Sequence, residues 1–117
     1  MKTLHVFEEI SINGKVIPCK IDTGAFSSSI DQTLVEGMPT YGSPTFFKNA
    51  NGRQERRRVT AHVMFSCGIE RDVIFSVVDR SLLKFPAIIG RRALEGIVVV
   101  VTNDERDPDN PMNVTKD

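Results

Sequence analysis

Apolar and polar residues alternate in several short runs along this chain, and turn-forming residues separate the runs. Ile17, Cys19 and Ile21 alternate with Pro18 and Lys20, while Val59, Ala61, Val63 and Phe65 alternate with Thr60, His62 and Met64. A period of two marks a strand with one buried face. His5 to Ile12 reads as a first strand and Lys15 to Ile21 as its return, joined by Asn13-Gly14. That pair tolerates positive φ and is the strongest short hairpin signal. Asp72 to Val78 is rich in Val, Ile and Phe and reads as another strand, reached through a turn at Cys67-Gly68. Tyr41 to Arg58 is polar, contains Asn51-Gly52 and reads as a long hairpin with a mobile tip. Arg91 to Glu95 predicts a brief helix closed by Gly96. The β-branched run Ile97 to Thr102 predicts a buried strand. No solenoid or propeller period is visible. Short strands at this spacing predict an all-β sandwich or small barrel with one short C-terminal helix.

Composition narrows the class. With 117 residues the chain is large enough for one hydrophobic core and too small for two. Forty per cent hydrophobic and 26% charged residues exclude a wholly disordered chain. Fifteen Lys plus Arg balance fifteen Asp plus Glu, so no global charge draws the chain to nucleic acid. The longest strongly apolar stretch, Ile97 to Val101, falls far short of the ~20 residues that cross a bilayer, so no membrane partner is expected. Glu8-Glu9 arrive before any signal-like apolar block can form, and Cys19 and Cys67 cannot make a disulfide framework. A reducing cytoplasm is the expected location. Residues 103–117 hold five acids, two bases and two prolines. They predict a mobile acidic tail beyond a domain of residues 1–102.

The chemistry concentrates at Asp22-Thr23-Gly24. Three common turn formers alone carry little, but their context is informative. The alternating strand Ile17, Cys19, Ile21 precedes them and Ala25-Phe26-Ser27-Ser28 follows. Farther on, Pro86-Ala87-Ile88-Ile89-Gly90-Arg91-Arg92-Ala93-Leu94 places two β-branched apolar residues before a glycine.

Together these stretches resemble the retropepsin-like aspartic proteases. Within them, the nearest likeness is to the bacterial family labelled ATP-dependent zinc proteases. Asn51-Gly52-Arg53-Gln54-Glu55-Arg56-Arg57 and Asp79-Arg80 agree in order and spacing, and the likeness spans about residues 6 to 102. The resemblance implies a closed acid-protease barrel, a hairpin flap over the substrate, and a homodimeric endopeptidase. Its catalytic loop would be Asp22, Thr23 and Gly24, with Thr23 bonding across to the opposite chain. Ala25, Phe26, Ser27, Asn51, Gly52 and Ile88 would contact an extended peptide. Such an enzyme pairs two carboxylates that share one proton, one acting as general base on water and the other as acid. A chain with a single Asp-Thr-Gly must pair with its own copy to supply both. The rival reading is a non-proteolytic peptide-binding or interaction module on the same fold.

Two departures from the pattern stand out. Phe26 is larger and more apolar than expected beside the triplet, and the hairpin lacks several tip glycines. The hairpin is also basic: Lys48, Arg53, Arg56, Arg57 and Arg58 face one Glu55. Either these are solvated side chains, or they favour an acidic peptide, or the acidic tail screens them, in its own chain or across a dimer. The zinc and ATP of the label find no residues. His5, His62, Cys19 and Cys67 form no metal-binding spacing, and no phosphate-cradling glycine loop exists, so no metal or other cofactor is expected. His62 should face solvent, and the cysteines should be core residues. Ser27, Ser28 and Ser29 lack a nucleophile elbow and should instead bond around the catalytic loop. Arg91 matches an arginine of the related proteins, and the resemblance implies that it ties the helix to the dimer interface through charge-assisted hydrogen bonds.

Overall fold

A computed structural model describes residues 1–50 and 52–101. Asn51 and the acidic tail therefore lie outside the described residues. In chain order the elements are β1 (Thr3–His5), β2 (Phe7–Ile12), β3 (Lys15–Ile21), β4 (Ser28–Asp31), a first 3₁₀ turn (Gln32–Val35), β5 (Thr45–Asn49), β6 (Gly52–Arg56), β7 (Arg58–Met64), β8 (Glu70–Val78), β9 (Ala87–Ile89), a second 3₁₀ turn (Arg91–Leu94) and β10 (Val98–Val100). Six strands close into a barrel in the order β2-β3-β9-β4-β8-β7. β1 pairs in parallel with β10, and β5 with β6 forms a separate hairpin. The all-β barrel is as expected.

The alternation in the sequence becomes the barrel wall. Ile17, Cys19 and Ile21 of β3, Val59, Ala61 and Val63 of β7, and Val73 and Phe75 of β8 are buried and meet inside with Ile10, Ile30 and Ile89. Each Val, Ile or Phe side chain among them contributes roughly 1.5–3 kcal/mol of transfer free energy. Cys19 belongs to this core, and burial pushes its thiol up to about 12. Phe7 is out of phase with Ile10 and Ile12. It lies on the outer face of β2 and is covered there by Phe85, ring centroids 5.0 Å apart. Asn13 (φ 49) and Gly14 (φ 82) build the tight β2–β3 turn that Asn-Gly announces.

The order of the barrel is unchanged when β2, β3 and β4 are exchanged for β7, β8 and β9. The parallel pairs obey the same exchange, since β3 lies along β9 as β8 lies along β4. Each half ends alike: a 3₁₀ turn, then Glu-Gly closing a type II turn. Met38 N–H reaches Val35 O at 3.1 Å, and Ile97 N–H reaches Leu94 O at 3.0 Å. Gly37 (φ 79) and Gly96 (φ 77) supply the positive φ that position requires. Sequence inspection finds no repeat because little beyond these Glu-Gly turns is shared between the halves.

Four expectations are corrected. The expected helix at Arg91 to Glu95 is one 3₁₀ turn, because the type II turn at Glu95-Gly96 stops it after four residues. His5 to Ile12 is two strands, since Val6 breaks away between β1 and β2. The hairpin is confined to Thr45–Arg56. Of the run Ile97 to Thr102, Thr102 lies outside the described residues and the rest is not a buried strand: β10 is three residues long and Val98 remains 42% exposed.

His62 faces solvent on the outside of β7, as expected, but it has partners. Its Nε2 lies 3.1 Å from Glu70 Oε1 and its Nδ1 3.2 Å from Asp72 Oδ1. The hydrogen bond to Glu70, then that to Asp72, raises the imidazole above its ordinary 6.5. A raised folded value stabilises fully below the unfolded pKa and is lost as pH rises through the folded one. Wild type should therefore exceed His62→Gln in stability at about pH 5.5 and lose that advantage by about pH 8.5. Urea melts of both proteins at the two pH values check this; a pH-independent difference contradicts it.

Candidate active site

The end of β3 delivers Asp22 into a loop that is held from two directions. Asp22 Oδ1 accepts the Gly24 N–H at 2.9 Å, closing an Asx turn on the carboxylate itself. The Asp22 N–H donates to Ile89 O at 2.9 Å, which extends the β3–β9 ladder by one bond. The next residues are tied to the segment after β9: Arg91 N–H donates to Ala25 O at 2.8 Å and Arg92 N–H to Phe26 O at 3.2 Å. Gly90 N–H donates to Ser28 Oγ at 2.9 Å. The two backbones run so close that a Cβ on Gly90 would lie 2.4 Å from Ser27 O. Glycine is needed here for lack of volume rather than for its φ, which is −92°. Arg91 finishes the bracing, its Nη1 donating to Thr23 O at 3.1 Å and Gly24 O at 3.5 Å.

This arrangement presents one half-buried carboxylate on a rigid loop. Thr23 and Gly24 are exposed beside it, and the Thr23 hydroxyl makes no hydrogen bond among the described residues. A lone carboxylate can act as acid or as base, but not as both in one step. Among the described residues, no group of His, Cys, Asp and Glu could hold a metal ion.

The symmetry-related loop after β8 is built the same way and used differently. Asp79 Oδ1 accepts the Ser81 N–H at 2.9 Å, and bonds from Ser81 hold its carboxyl below the usual range. Arg80 N–H donates to Asp31 Oδ1 at 2.6 Å, and its side chain reaches Phe85 O at 2.7 Å and Ser29 Oγ at 3.3 Å. The Thr33 hydroxyl also bonds Asp31, and with the Arg80 N–H it keeps that buried carboxyl below its ordinary value. This loop is a structural knot. Sequence reading missed it, although Asp79-Arg80 flagged the place.

The remaining expected contact residues divide between two cavities. Phe26 and Ser27 line one of about 290 Å³. Phe26 is 61% exposed, with the guanidiniums of Arg91 and Arg92 at 5.7 and 5.5 Å from its ring. Ile88, on the outer face of β9, lines another of about 310 Å³ with Phe7, Phe85, Leu82 and Leu83. Leu82 is 97% exposed. Two adjacent leucines between Ser81 and Lys84 are the signal that could have announced this apolar tip. Ala25 is half-buried at the loop centre. Gly52 opens β6 on a hairpin that no ladder joins to the barrel, and Asn51 lies outside the described residues. The structure thus brings Asp22 through Ser27 together with the β9 turn, and sets Ile88 and Gly52 apart from them.

The basic hairpin is less free than its composition suggests. Arg53 sits 3.8 Å over the Phe46 ring and Arg56 4.2 Å over Phe47. Arg57 donates to Met38 O and Val35 O, both at 3.2 Å.

The chain matches no protein-family model and no curated protein. It is similar to a solved structure. That structure is the protein Lpg0085 of Legionella pneumophila subsp. pneumophila str. Philadelphia 1, described as having unknown function (DUF785). The TM-score is 0.62 at 15% identity, covering 85% of this chain and 92% of the other. At that identity the likeness carries the fold alone.

Proposed function

We propose that this chain is a retropepsin-like aspartic endopeptidase that works as a homodimer on extended peptides. The observation that carries the reading is the Asp22 loop: a carboxylate closed on the Gly24 N–H and braced against Ile89, Gly90 and Arg91. A loop of this build holds its carboxylate in place without reorganisation during the reaction. One chain supplies one such group, so the dyad takes Asp22 from each of two chains across a two-fold axis. The pair shares a proton and titrates as a unit. The ionised member removes a proton from water as the oxygen attacks the scissile carbonyl carbon. The protonated member donates to the carbonyl oxygen. On collapse the carboxyl that took the water proton passes it to the amide nitrogen, and the C–N bond breaks. A hydroxyl of the tetrahedral species returns its proton to the other carboxylate as the acid product forms. The free Thr23 hydroxyl is available to bond across the axis. β10 pairs with β1 alone among the described strands, and Val98 on it and Val101 just after it are exposed, an apolar edge suited to a second copy.

The test couples activity to assembly. Cleavage of a peptide library at mildly acidic pH, measured across chain concentration beside sedimentation, should follow the dimer fraction. Full activity per chain in a sedimenting monomer overturns the reading.

A further inference from the structure

The cavity beside the candidate catalytic loop has a chemistry of its own. Phe26 and Ser27 form one wall, and Arg58, Arg71 and Arg92 converge on it from β7, β8 and the second 3₁₀ turn. None of the three arginines has a carboxylate partner among the described residues. Among the described residues every ion pair within 4.0 Å involves a histidine. The one acid in the lining, Asp72, is already hydrogen-bonded to His62.

The guanidiniums are positioned yet unsaturated. Arg58 spends Nε on Ser43 O at 2.9 Å, and Arg71 spends Nη1 on Ala93 O and Glu95 O, each at 3.0 Å. Among the described residues the Arg92 guanidinium has only the Phe26 ring. Each guanidinium carries five N–H donors, so most remain for a ligand. Three cations against one acid leave a local charge of +2, by counting the lining. Holding like charges around one cavity is unfavourable unless an anion neutralises them. A volume of about 290 Å³ stands at the small end of ligand cavities, ~300–1,000 Å³. It suits one side chain rather than a cofactor.

We infer that this cavity binds an oxyanion-bearing side chain of the peptide, a carboxylate or a phosphate, held by the guanidiniums of Arg58, Arg71 and Arg92. It is therefore a specificity pocket next to the Asp22 loop. The inference rests on the endopeptidase reading only for placing a peptide there. It also relocates the source of acidic preference. The hairpin arginines Arg53 and Arg56 lie over rings of the hairpin itself, whereas the cavity arginines stand beside Phe26 and Ser27 of the Asp22 loop.

Binding can be measured without cleavage. In an Asp22→Asn background, short neutral peptides that differ at one residue (Gln, Glu or phosphoserine) are titrated by calorimetry. An anionic residue should tighten binding by about 10-fold or more over Gln, as expected for charge-assisted bonds. Arg92→Gln should remove most of that gain, and Arg92→Lys should restore part of it. Among the described residues the Arg92 side chain makes no hydrogen bond, and its backbone bond to Phe26 O survives substitution, so these variants test the pocket and not folding; matching thermal melts verify that. A stronger gain for phosphoserine assigns the phosphate source, and a stronger gain for Glu the carboxylate. Equal binding of all three peptides, or a gain that survives both Arg92→Gln and Arg58→Gln, overturns the proposal. Wild-type cleavage of neutral peptides with no anionic preference would sink the pocket while leaving the protease reading standing. Anion-selective binding without any cleavage would do the reverse.

Discussion

Asp22→Asn should lower peptide cleavage by about 10³- to 10⁴-fold while leaving the fold intact. The amide is isosteric, and its Oδ1 can still accept the Gly24 N–H that now bonds the carboxylate at 2.9 Å. What it loses is the ability to take a proton from water, and general acid–base groups are worth roughly 10²–10⁴ in rate. The upper part of that range applies because a symmetric dimer loses both carboxylates through one substitution. The measurement is the initial rate of library cleavage for wild type and variant at equal dimer concentration, with melting curves to establish folding. Equal rates would remove the mechanism. A folded variant that still binds peptide, beside a wild type that never cuts, would transfer the chain to the interaction-module reading.

The second large effect is on stability. Gly90→Ala should destabilise the protein by about 3 kcal/mol or more, the upper range for overpacking against backbone. Its Cβ would enter to 2.4 Å of Ser27 O and 2.9 Å of Ala25 O, and neither is a flexible side-chain tip. Relief requires the Asp22 loop to separate from the β9 turn, which breaks the bonds from Gly90, Arg91 and Arg92 together. Cleavage should fall with stability. Gly24→Ala is the internal control: its Cβ would meet only Asp22 Oδ1, at 3.2 Å, and a side chain can yield. Chemical denaturation of the two variants separates these cases. A Gly90→Ala protein within about 1 kcal/mol of wild type would show that the loop is not locked as described.

Much of this was legible in the sequence, and the gaps have physical reasons. Alternation gave β3 and β7 because their inward residues are apolar without exception. Asn13-Gly14 gave the hairpin because few other pairs adopt two positive φ angles in succession. β4 went unread because three of its four residues, Ser28, Ser29 and Asp31, are polar: Ser28 is buried to receive the Gly90 N–H, and Asp31 to receive Arg80 and Thr33. Burial of that kind serves hydrogen bonds formed by residues 49 to 62 positions away. The Asp22 loop was found through a motif, which does record chemistry. The cavity was not, because Arg58, Arg71 and Arg92 meet only after β7, β8 and the second 3₁₀ turn are assembled. Scattered arginines in a chain of zero net charge look like solvated surface.

The way this barrel employs its arginines bears on the conditions it can withstand. Arg57, Arg58, Arg71, Arg80 and Arg91 all donate to main-chain carbonyl oxygens. Carboxylate partners become neutral in acid and their ion pairs lapse, whereas a carbonyl oxygen has no proton to gain in that range and a guanidinium never gives one up. These five clasps are therefore indifferent to acid. A protein fastened in this manner keeps its loops in place in the mildly acidic medium where a proton-sharing pair of aspartates operates.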